Sequence, residues 1–487
     1  MSGRTYLSRR SLLRGSAIVG GAAVLAACGA TPTPQVIKEV VTQVVEKEVT
    51  KIVEGTPQVV KETVVVEKEN TVVVEKVTTA TPVTNKTKLV VEWPQFTPAK
   101  TRWGEKAFWS YMQAFPQIEI EPMYNTDPNE KLTVAIAGGT PPDVAWHGYG
   151  WARWAVEGVF MALDDLIAQN NVDKSIFWEV ALQDLSWEGK LYCLPIGITG
   201  PTTVAVNLKL YDEAGVKPAV DGNWSYNDLI TMGPAMTKPD KKQYAATLSE
   251  AYSLFWLVGM GGNMGSKNDQ WLEMELNSPK RVATLQMYYD LVNKYKIAVP
   301  RDVVIELRTL PHFSSGLVGN MWGYIWMVPT FRNDVKDFDW DIIPIPNMEA
   351  NGEKWRYAVV WPEQWAIVST TKHLKESWDF IYWFCTTQLD EAARDANVVP
   401  GVKAVAQSDK YLRKDVPPKH IDNFLKAFDI GVPLMNHPTA EKMLEKFQQL
   451  WPSVLNGEQQ MSIQEMLDQC NDAAQKVLDD WNAKHKK

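Results

Sequence analysis

The chain has 487 residues, of which 45% are hydrophobic and 22% charged, as expected for a globular protein of two or three domains. A formal net charge of -8 excludes a basic surface that would bind nucleic acid. The four cysteines (Cys28, Cys193, Cys385 and Cys470) are too few and too scattered for a disulfide framework or a zinc site. We therefore expect no cofactor, no metal ion and no nucleic-acid partner.

Residues 1–27 have the pattern of an export signal. Arg9-Arg10 forms a twin-arginine motif, and the apolar run from Ala17 to Ala27 is about half as long as a membrane span. Small residues directly precede Cys28, which resembles the lipobox of bacterial lipoproteins, where the cysteine is diacylated. Since two acyl chains anchor a protein stably, Cys28 is predicted to hold the mature chain on the outer face of the cell membrane.

Residues 28–87 are predicted to form a stalk that is rich in Val, Lys and Glu. From residue 31 onward the segment lacks aromatic residues, so it cannot build an ordinary core. A weak coiled coil and a self-associating β-strand are both compatible with its valine spacing. The Thr-Pro steps at Thr56-Pro57 and Thr81-Pro82 favour an extended chain that lets a tethered domain reach a partner in the same membrane.

The body of the protein begins at Lys88, where strand and helix signals start to alternate. Lys88 to Trp93 reads as a strand, Gly104 to Phe115 as a helix, and Ile118 to Ile120 as a second strand. Strands that alternate with helices indicate an α/β fold.

Several helices carry recognisable start signals. Ser225 and Ser462 are placed as N-caps, and Ser278-Pro279 opens a further helix. The last helix is expected to bury one apolar stripe, which includes Cys470 as a small hydrophobe and Trp481 near its end.

A set of short motifs, in a fixed order, now identifies a resemblance. They are Gly138-Gly139-Thr140-Pro141-Pro142-Asp143-Val144, Gly158 with Leu163-Asp164-Asp165, Gly189-Lys190-Leu191-Tyr192, Asn207 with Gly215, Phe313-Ser314-Ser315-Gly316, and Trp340 to Pro346. Their order and spacing resemble family 1 extracellular solute-binding proteins, the maltose-binding-protein-like receptors of ABC importers. The resemblance spans most of residues 88–487.

This resemblance implies a two-lobed periplasmic-binding-protein-like fold of type II. Two α/β lobes would be joined by crossover strands, with a ligand cleft between them. The N-terminal lobe is expected to comprise residues 88–202 and 347–408, and the C-terminal lobe residues 203–346 and 409–487. The implied function is a monomeric substrate-binding lipoprotein that captures a small polar ligand, a carbohydrate by preference, by hinge closure and delivers it to an ABC permease.

Candidate ligand-binding residues come from loops that follow strand signals, because clefts in open sheets lie beyond the carboxyl ends of strands. The chain has 21 Trp against 16 Tyr and 14 Phe, and indole faces suit the C–H faces of sugars. The expected set is Trp326, Trp93, Trp146, Asp143, Trp322, Tyr324, Trp361, Glu363 and Trp256. The resemblance places Trp326 at a stacking position, whereas Trp481 on its helix stripe is expected to pack in the core. Asp143 is equally well explained as a cap for the next backbone turn.

The alternative function is a secreted glycoside-acting enzyme, since a Trp-lined cleft with paired carboxylates also describes such enzymes. Asp143 and Glu363 would then have to face each other across a scissile bond. Nothing in the sequence fixes that arrangement, so a receptor without enzymatic activity is preferred.

The anchoring hypothesis is tested by Cys28→Ala. Removal of the thiol prevents acylation, so the exported protein should move from the membrane fraction to the soluble fraction after carbonate washing. Immunoblots of the two fractions measure this, and a variant that stays with the membrane would show that Cys28 is not the anchor.

Overall fold

The computed structural model describes residues 38–53, 56–71, 85–96, 98–148, 150–200, 202–247, 261–387 and 398–485. The chain divides into two units, residues 1–84 and residues 85–487. The predicted export signal, Cys28 and Trp256 lie outside the described residues. Among the helices that are described, none combines the length and apolar composition required to cross a membrane.

In the first unit, two strands form an antiparallel ribbon. Strand β1 (Lys38–Val53) pairs with β2 (Thr56–Thr71) in a register that runs from Lys38 opposite Thr71 to Val53 opposite Thr56. Of the conformations that the valine spacing left open, these residues have the β-strand, paired within the chain, and not the extended chain that the Thr-Pro steps favoured. Thr56-Pro57 stands at the beginning of β2 and does not interrupt a strand, because a proline is tolerated at the first residues of a strand.

The second unit alternates helices with short strands, as the sequence predicts. The strands are β3 (Thr87–Pro94), β4 (Ile118–Asn125), β5 (Val144–His147), β6 (Ser186–Trp187), β7 (Lys190–Leu191), β8 (Cys193–Ile198), β9 (Thr203–Asn207), β10 (Tyr244–Thr247), β11 (Val318–Gly323), β12 (Trp340–Ile343), β13 (Met348–Ala350), β14 (Glu353–Trp355), β15 (Ala358–Val360), β16 (Pro362–Ile367), β17 (Val399–Pro400) and β18 (Gly431–Pro433).

The α-helices of this unit range from one turn to more than six. They are α1 (Pro98–Ala114), α2 (Pro128–Ala137), α3 (Trp151–Val156), α4 (Asp164–Gln169), α5 (Glu179–Asp184), α6 (Leu208–Ala214), α7 (Tyr226–Met236), α8 (Pro279–Asn293), α9 (Arg301–Leu307), α10 (Thr309–Ser314), α11 (Val328–Asp334), α12 (Leu374–Thr387), α13 (Lys403–Ala406), α14 (Asp409–Leu412), α15 (Asn423–Lys426), α16 (Ala440–Leu455) and α17 (Ile463–His485).

Two sheets form the centres of two lobes. The N-terminal lobe has a six-stranded sheet in the order β17-β8-β16-β5-β3-β4, and the C-terminal lobe a four-stranded sheet in the order β10-β11-β9-β12. Helices α1 and α12 pack on the first sheet, and α7 and α6 on the second. This confirms the two-lobed α/β architecture.

The pairing directions determine which edges of the two sheets face each other. Strands β3 and β5 are parallel, and β16 is antiparallel to β5 with Gln364 opposite His147. The end of β8 lies beside the start of β16, with Ile198 opposite Pro362. The chain leaves the sheet at this edge to reach β9, so the carboxyl ends of β3 and β5 lie on the inter-lobe side.

The same reasoning applies to the C-terminal lobe. Strand β11 ends with Gly323 opposite Thr203 at the start of β9, and β12 ends with Ile343 opposite Val204. Thr203 is the first residue of β9 after the crossing, so the ends of β11 and β12 are on the inter-lobe side too. Residues that directly follow these strands are therefore placed toward the cleft.

Much of the tryptophan excess is used to fill the N-terminal core. The Trp93 ring stacks on Trp365 at 5.5 Å between centroids and meets Trp103 edge-on at 5.6 Å. Phe384 of α12 lies within 5.5 Å of both Trp93 and Trp365. Each indole buries a large apolar area, so these contacts account for much of the packing between α1, α12 and the sheet.

The lobe boundary differs from the expectation at one point. Met348, Trp355 and Ala358 belong to the core of the C-terminal lobe, together with Val204 and Ile343. The chain therefore returns to the N-terminal lobe after residue 358, and the boundary expected at residue 347 moves to residues 359–361.

The predicted helix starts are confirmed. Ser225 accepts a hydrogen bond from the Asp228 backbone N–H in a complete capping box, and Ser462 and Glu465 form the same reciprocal pair before α17. The stripe of α17 is buried from Ile463 to Leu478, but Trp481 is only partly buried. Trp481 is therefore not a core residue, in contrast to the expectation.

A second face of α17 holds an extended loop by its backbone. The side chains of Asn471, Gln475 and Asn482 hydrogen-bond the Leu276 N–H, the Met274 N–H and the Trp271 carbonyl, respectively. The polar side chains recur at roughly helical intervals, so one side of the helix follows the loop along its length.

The Asp143 carboxylate connects neighbouring segments of the N-terminal lobe. It accepts hydrogen bonds from the Val90 N–H (2.8 Å) and the Thr371 hydroxyl (2.5 Å). Asp143 precedes β5, so it lies at the end of the sheet opposite the inter-lobe edge. The expectation that Asp143 binds ligand is corrected, because the carboxylate joins β3, β5 and the chain after β16.

Asp143→Ala should lower the free energy of unfolding by about 2 kcal/mol, since two donors lose a charged acceptor. Urea unfolding measures the loss, and Asp165→Ala, at an exposed position of α4, serves as the control. Equal stability of both variants would remove Asp143 from this structural role.

Candidate functional site

The inter-lobe edge of the N-terminal sheet brings together an aromatic pair and a carboxylate. Trp146, near the end of β5, meets Phe96 edge-on at 5.4 Å, and its indole N–H lies 3.4 Å from a Glu363 carboxylate oxygen. Phe96 is 51% exposed, whereas Trp146 and Glu363 are buried. The two expected residues, Trp146 and Glu363, are thus neighbours at the edge where a cleft should lie.

Glu363 is paired with a lysine that the sequence analysis missed. Lys100, in the first turn of α1, forms a buried ion pair with the Glu363 carboxylate. Its ammonium lies 5.1 to 5.3 Å from the ring centroids of Trp93, Trp103 and Trp146. Burial lowers the pKa of Lys100, so its charged form depends on the carboxylate and the aromatic faces around it.

A second aromatic group lies where the chain crosses between the lobes. The Tyr324 and Trp361 rings meet edge-on at 4.7 Å, and Trp326 follows in the short 3-10 turn Ile325–Met327. Trp361 packs so closely on Gly200 that a Cβ there would lie 2.8 Å from the indole. Trp326 and Trp361 are partly buried, whereas Tyr324 is 2% exposed.

Two expected ligand contacts are core residues in this structure. Trp93 is 0% exposed, and its ring is enclosed by the N-terminal core. Trp322 is 2% exposed and packs beside Trp224 and Tyr226 in the C-terminal core. Each indole is enclosed by core residues of its own lobe. The expectation for these two residues is corrected.

A groove of about 660 Å³ lies between the lobes. The N-terminal lobe contributes α3, and the C-terminal lobe contributes the start of α16 and the end of α17. The lining residues are Arg153, Val156, Glu157, Pro438, Thr439, Glu441, Lys442, Val477, Asp480, Trp481, Lys484 and His485. Helix α3 follows β5 closely in the chain, so it starts on the inter-lobe side of the sheet.

The groove has a partly exposed indole and a balanced set of charges. Trp481 stacks on His485 with centroids 3.6 Å apart. Three cationic side chains (Arg153, Lys442 and Lys484) line it together with three carboxylates (Glu157, Glu441 and Asp480). Arg153 already donates to Glu157 at 2.9 Å. Such a wall offers many hydrogen-bonding groups but little net field, which suits an uncharged polar ligand.

His437 and three tryptophans, one of which is Trp481, form a cluster that we call the histidine box. The ring of His437, which is 2% exposed, lies 5.3 Å from Trp187, 4.8 Å from Trp271 and 5.3 Å from Trp481. Trp187 belongs to the N-terminal lobe, so this box joins the two lobes beside the groove. Trp271 has a left-handed backbone (φ 54°), a conformation that costs energy for a bulky residue.

The sequence model of the bacterial extracellular solute-binding protein family matches residues 93–388 of this chain. The chain belongs to this family. Within the described ranges, no group of three or more His, Cys, Asp or Glu side chains could hold a metal ion.

Relatives of this solute-binding protein bind several small molecules. A maltotriose-binding protein of Pyrococcus abyssi is 20% identical over 65% of this chain and 67% of its own length. An ABC substrate-binding protein of Listeria monocytogenes, solved with cycloalternan, has a TM-score of 0.70, 18% identity, and coverage of 81% of this chain and 100% of its own. UgpB of Mycobacterium tuberculosis, solved with glycerophosphocholine, has a TM-score of 0.65, 18% identity, and coverage of 80% and 98%.

Several residues of this solute-binding protein's inter-lobe face were missed from sequence. Arg153, Glu441 and Trp481 lie on helices with ordinary amphipathic patterns, and no local signal separates a groove-lining face from a solvated one. Trp481 offered one clue: it follows Leu478 at an interval of three and is flanked by Asp480 and Asn482, so it lies at the polar border of the stripe.

The histidine box makes stability depend on pH. Burial, and to a smaller extent the charge of His485, lowers the pKa of His437 to about 3. From about pH 6.5 down to that value, the unfolded chain binds a proton that the folded chain does not, so stability falls as the pH falls. His437→Phe should reduce the stability difference between pH 7 and pH 4.5 by about 2 kcal/mol, measured by urea unfolding at both pH values. An unchanged difference would contradict the role of His437.

Proposed function

We propose that this protein is the substrate-binding component of an ABC importer and that it captures an uncharged oligosaccharide in the inter-lobe groove. The observation that carries the proposal is the groove itself, where a partly exposed indole stands among hydrogen-bonding groups of balanced charge. Sugars combine apolar C–H faces with hydroxyl rims, and this wall matches both. The maltotriose and cycloalternan named for two relatives belong to the same chemical class.

Capture by hinge closure is supported by the placement of the aromatic residues. Trp146 belongs to the N-terminal lobe, Trp326 to the C-terminal lobe, and Trp361 to the crossing segment. A change in lobe orientation alters the distances among these rings, so a ligand that contacts both sides stabilises the closed state. Trp256 belongs to the same proposal and lies outside the described residues.

The proposal includes the location of the receptor. Cys28 would anchor the monomeric chain to the outer face of the membrane, where the bound sugar passes to a permease.

The positions of Asp143 and Glu363 argue against the alternative function, a glycoside-acting enzyme. Asp143 precedes β5 and Glu363 starts β16, so they stand at opposite ends of the sheet. In the register of β5 and β16, Glu363 lies opposite residue 148, five residues from Asp143, which is roughly 16 Å along the strand and beyond the spacing of either glycosidase class.

The direct test is calorimetric titration of the purified protein with maltotriose and longer maltooligosaccharides, accompanied by thermal denaturation. A ligand that binds only the folded state raises the melting temperature. Saturable binding without release of shorter sugars supports the proposal. Hydrolysis of the sugars, or an absence of binding across neutral oligosaccharides, would contradict it.

Trp481→Ala and Trp326→Ala test two separate proposed contacts: Trp481 lines the groove, whereas Trp326 lies in the second aromatic group, where the chain crosses between the lobes. Each should weaken sugar binding by about 2 kcal/mol, as expected for the truncation of an aromatic contact. Trp109→Ala is the matched control, because this indole is 60% exposed on α1 and outside the groove. If Trp109→Ala weakens binding as much as Trp481→Ala, the ligand is not in the groove.

A further inference from the structure

Three indoles and one carboxylate surround the Lys100 ammonium at the inter-lobe edge. The ammonium lies 5.3, 5.2 and 5.1 Å from the ring centroids of Trp93, Trp103 and Trp146, and Glu363 supplies the opposite charge. Lys100 is 5% exposed. Aromatic faces around an ammonium, completed by a carboxylate, are the arrangement by which proteins bind organic ammonium ligands. Here a side chain of the protein itself fills that arrangement.

The walls of this ammonium box are held independently of the ammonium. The Trp93 indole N–H donates to the Lys100 backbone carbonyl at 3.2 Å. Gly104 lies so close that a Cβ there would be 2.2 Å from the Trp93 indole nitrogen. Phe384 lies within 5.5 Å of both Trp93 and Trp103. These contacts use ring edges and the backbone, so the box should retain its shape when the Lys100 side chain is shortened.

The box also reaches the proposed ligand face. Trp146 and Glu363 are two of its four walls, and the partly exposed Phe96 ring covers Trp146 on the inter-lobe side. Without an internal cation, Glu363 would be a buried carboxylate beside aromatic faces, which is costly unless a cation pairs with it. An ammonium-bearing ligand would then be the favoured partner.

We propose that Lys100 determines ligand specificity at this edge: its ammonium fills the box, fixes Glu363 and Trp146 in place, and excludes ligands that carry an ammonium group. The proposal rests on the proposed function, because it explains why the inter-lobe face accepts uncharged ligands.

Chemical rescue tests the proposal. Lys100→Ala removes atoms that correspond to n-propylammonium, so the chloride salt of this ion should raise the melting temperature of the variant by about 2 °C or more beyond equimolar NaCl. The wild-type protein should show no such increase, because its box is filled. Neutral 1-propanol, which has nearly the same shape, should not rescue the variant.

Two further variants separate the effect of the ammonium charge from that of side-chain volume. Lys100→Met fills most of the box without a charge, so n-propylammonium should not raise its melting temperature. Lys100→Ala combined with Glu363→Gln lacks the carboxylate and should lose the rescue. Equal effects on the wild-type protein and Lys100→Ala, or equal rescue by 1-propanol, would overturn the proposal.

If Lys100→Ala does not fold alone, recovery of native near-ultraviolet circular dichroism on addition of n-propylammonium supports the proposal. Failure to recover, while Lys100→Met folds, overturns it. The sugar titration is read separately. If n-propylammonium rescues the variant but the wild-type protein binds no sugar, the proposed ligand class is wrong and the proposed role of Lys100 stands. If the wild-type protein binds sugar but n-propylammonium gives no rescue, only the proposed role of Lys100 is wrong.

Discussion

Two backbone hydrogen bonds join the segments that cross between the lobes. The Thr199 N–H donates to the Trp361 carbonyl at 3.1 Å, and the Thr202 N–H donates to the Val359 carbonyl at 3.2 Å. These hydrogen bonds hold the two connecting segments side by side, so the strands that lead into them from both sheets must end at the same boundary between the lobes. The positions of Trp146, Glu363 and Tyr324 follow from that constraint, since each lies near a strand end on the inter-lobe side.

The fold was predictable because it depends on patterns that repeat along the chain. Strand patterns, capping boxes and ordered motifs each constrain only a few residues. Together they predict the alternation of strands and helices and the two-lobed architecture. The site was predictable only where a residue lies next to a strand end. Trp146 and Glu363 were placed at the inter-lobe edge in this way, and their contact with a ligand stays a prediction. Asp143 was misplaced because it stands at the opposite end of β5, and a sequence gives the existence of a short strand more readily than its limits.

Burial explains the remaining differences between the predicted and the observed positions of the tryptophans. Trp93 and Trp322 lie near strand ends but are buried together with their strand neighbours, so proximity to a strand end does not distinguish a core indole from an accessible one. Trp481 differs for another reason, because it contacts His437, which precedes α16, and His437 in turn contacts Trp187 of the other lobe. Contacts between such distant parts of the chain leave no periodic signal in the sequence.

The attachment of the 271–277 loop to the last helix has a consequence for the evolution of this chain. Asn471, Gln475 and Asn482 recognise only backbone groups of the loop. The loop's own side chains add to this anchoring, because Met274 and Leu276 are buried in the C-terminal core and the Asn277 side chain donates a hydrogen bond to Asp468. Leu272 differs from these residues: its side chain is 68% exposed, and Gln475 binds its backbone carbonyl. Substitutions at this position should therefore cost little in folding, so it is a position at which lineages of this receptor can diverge.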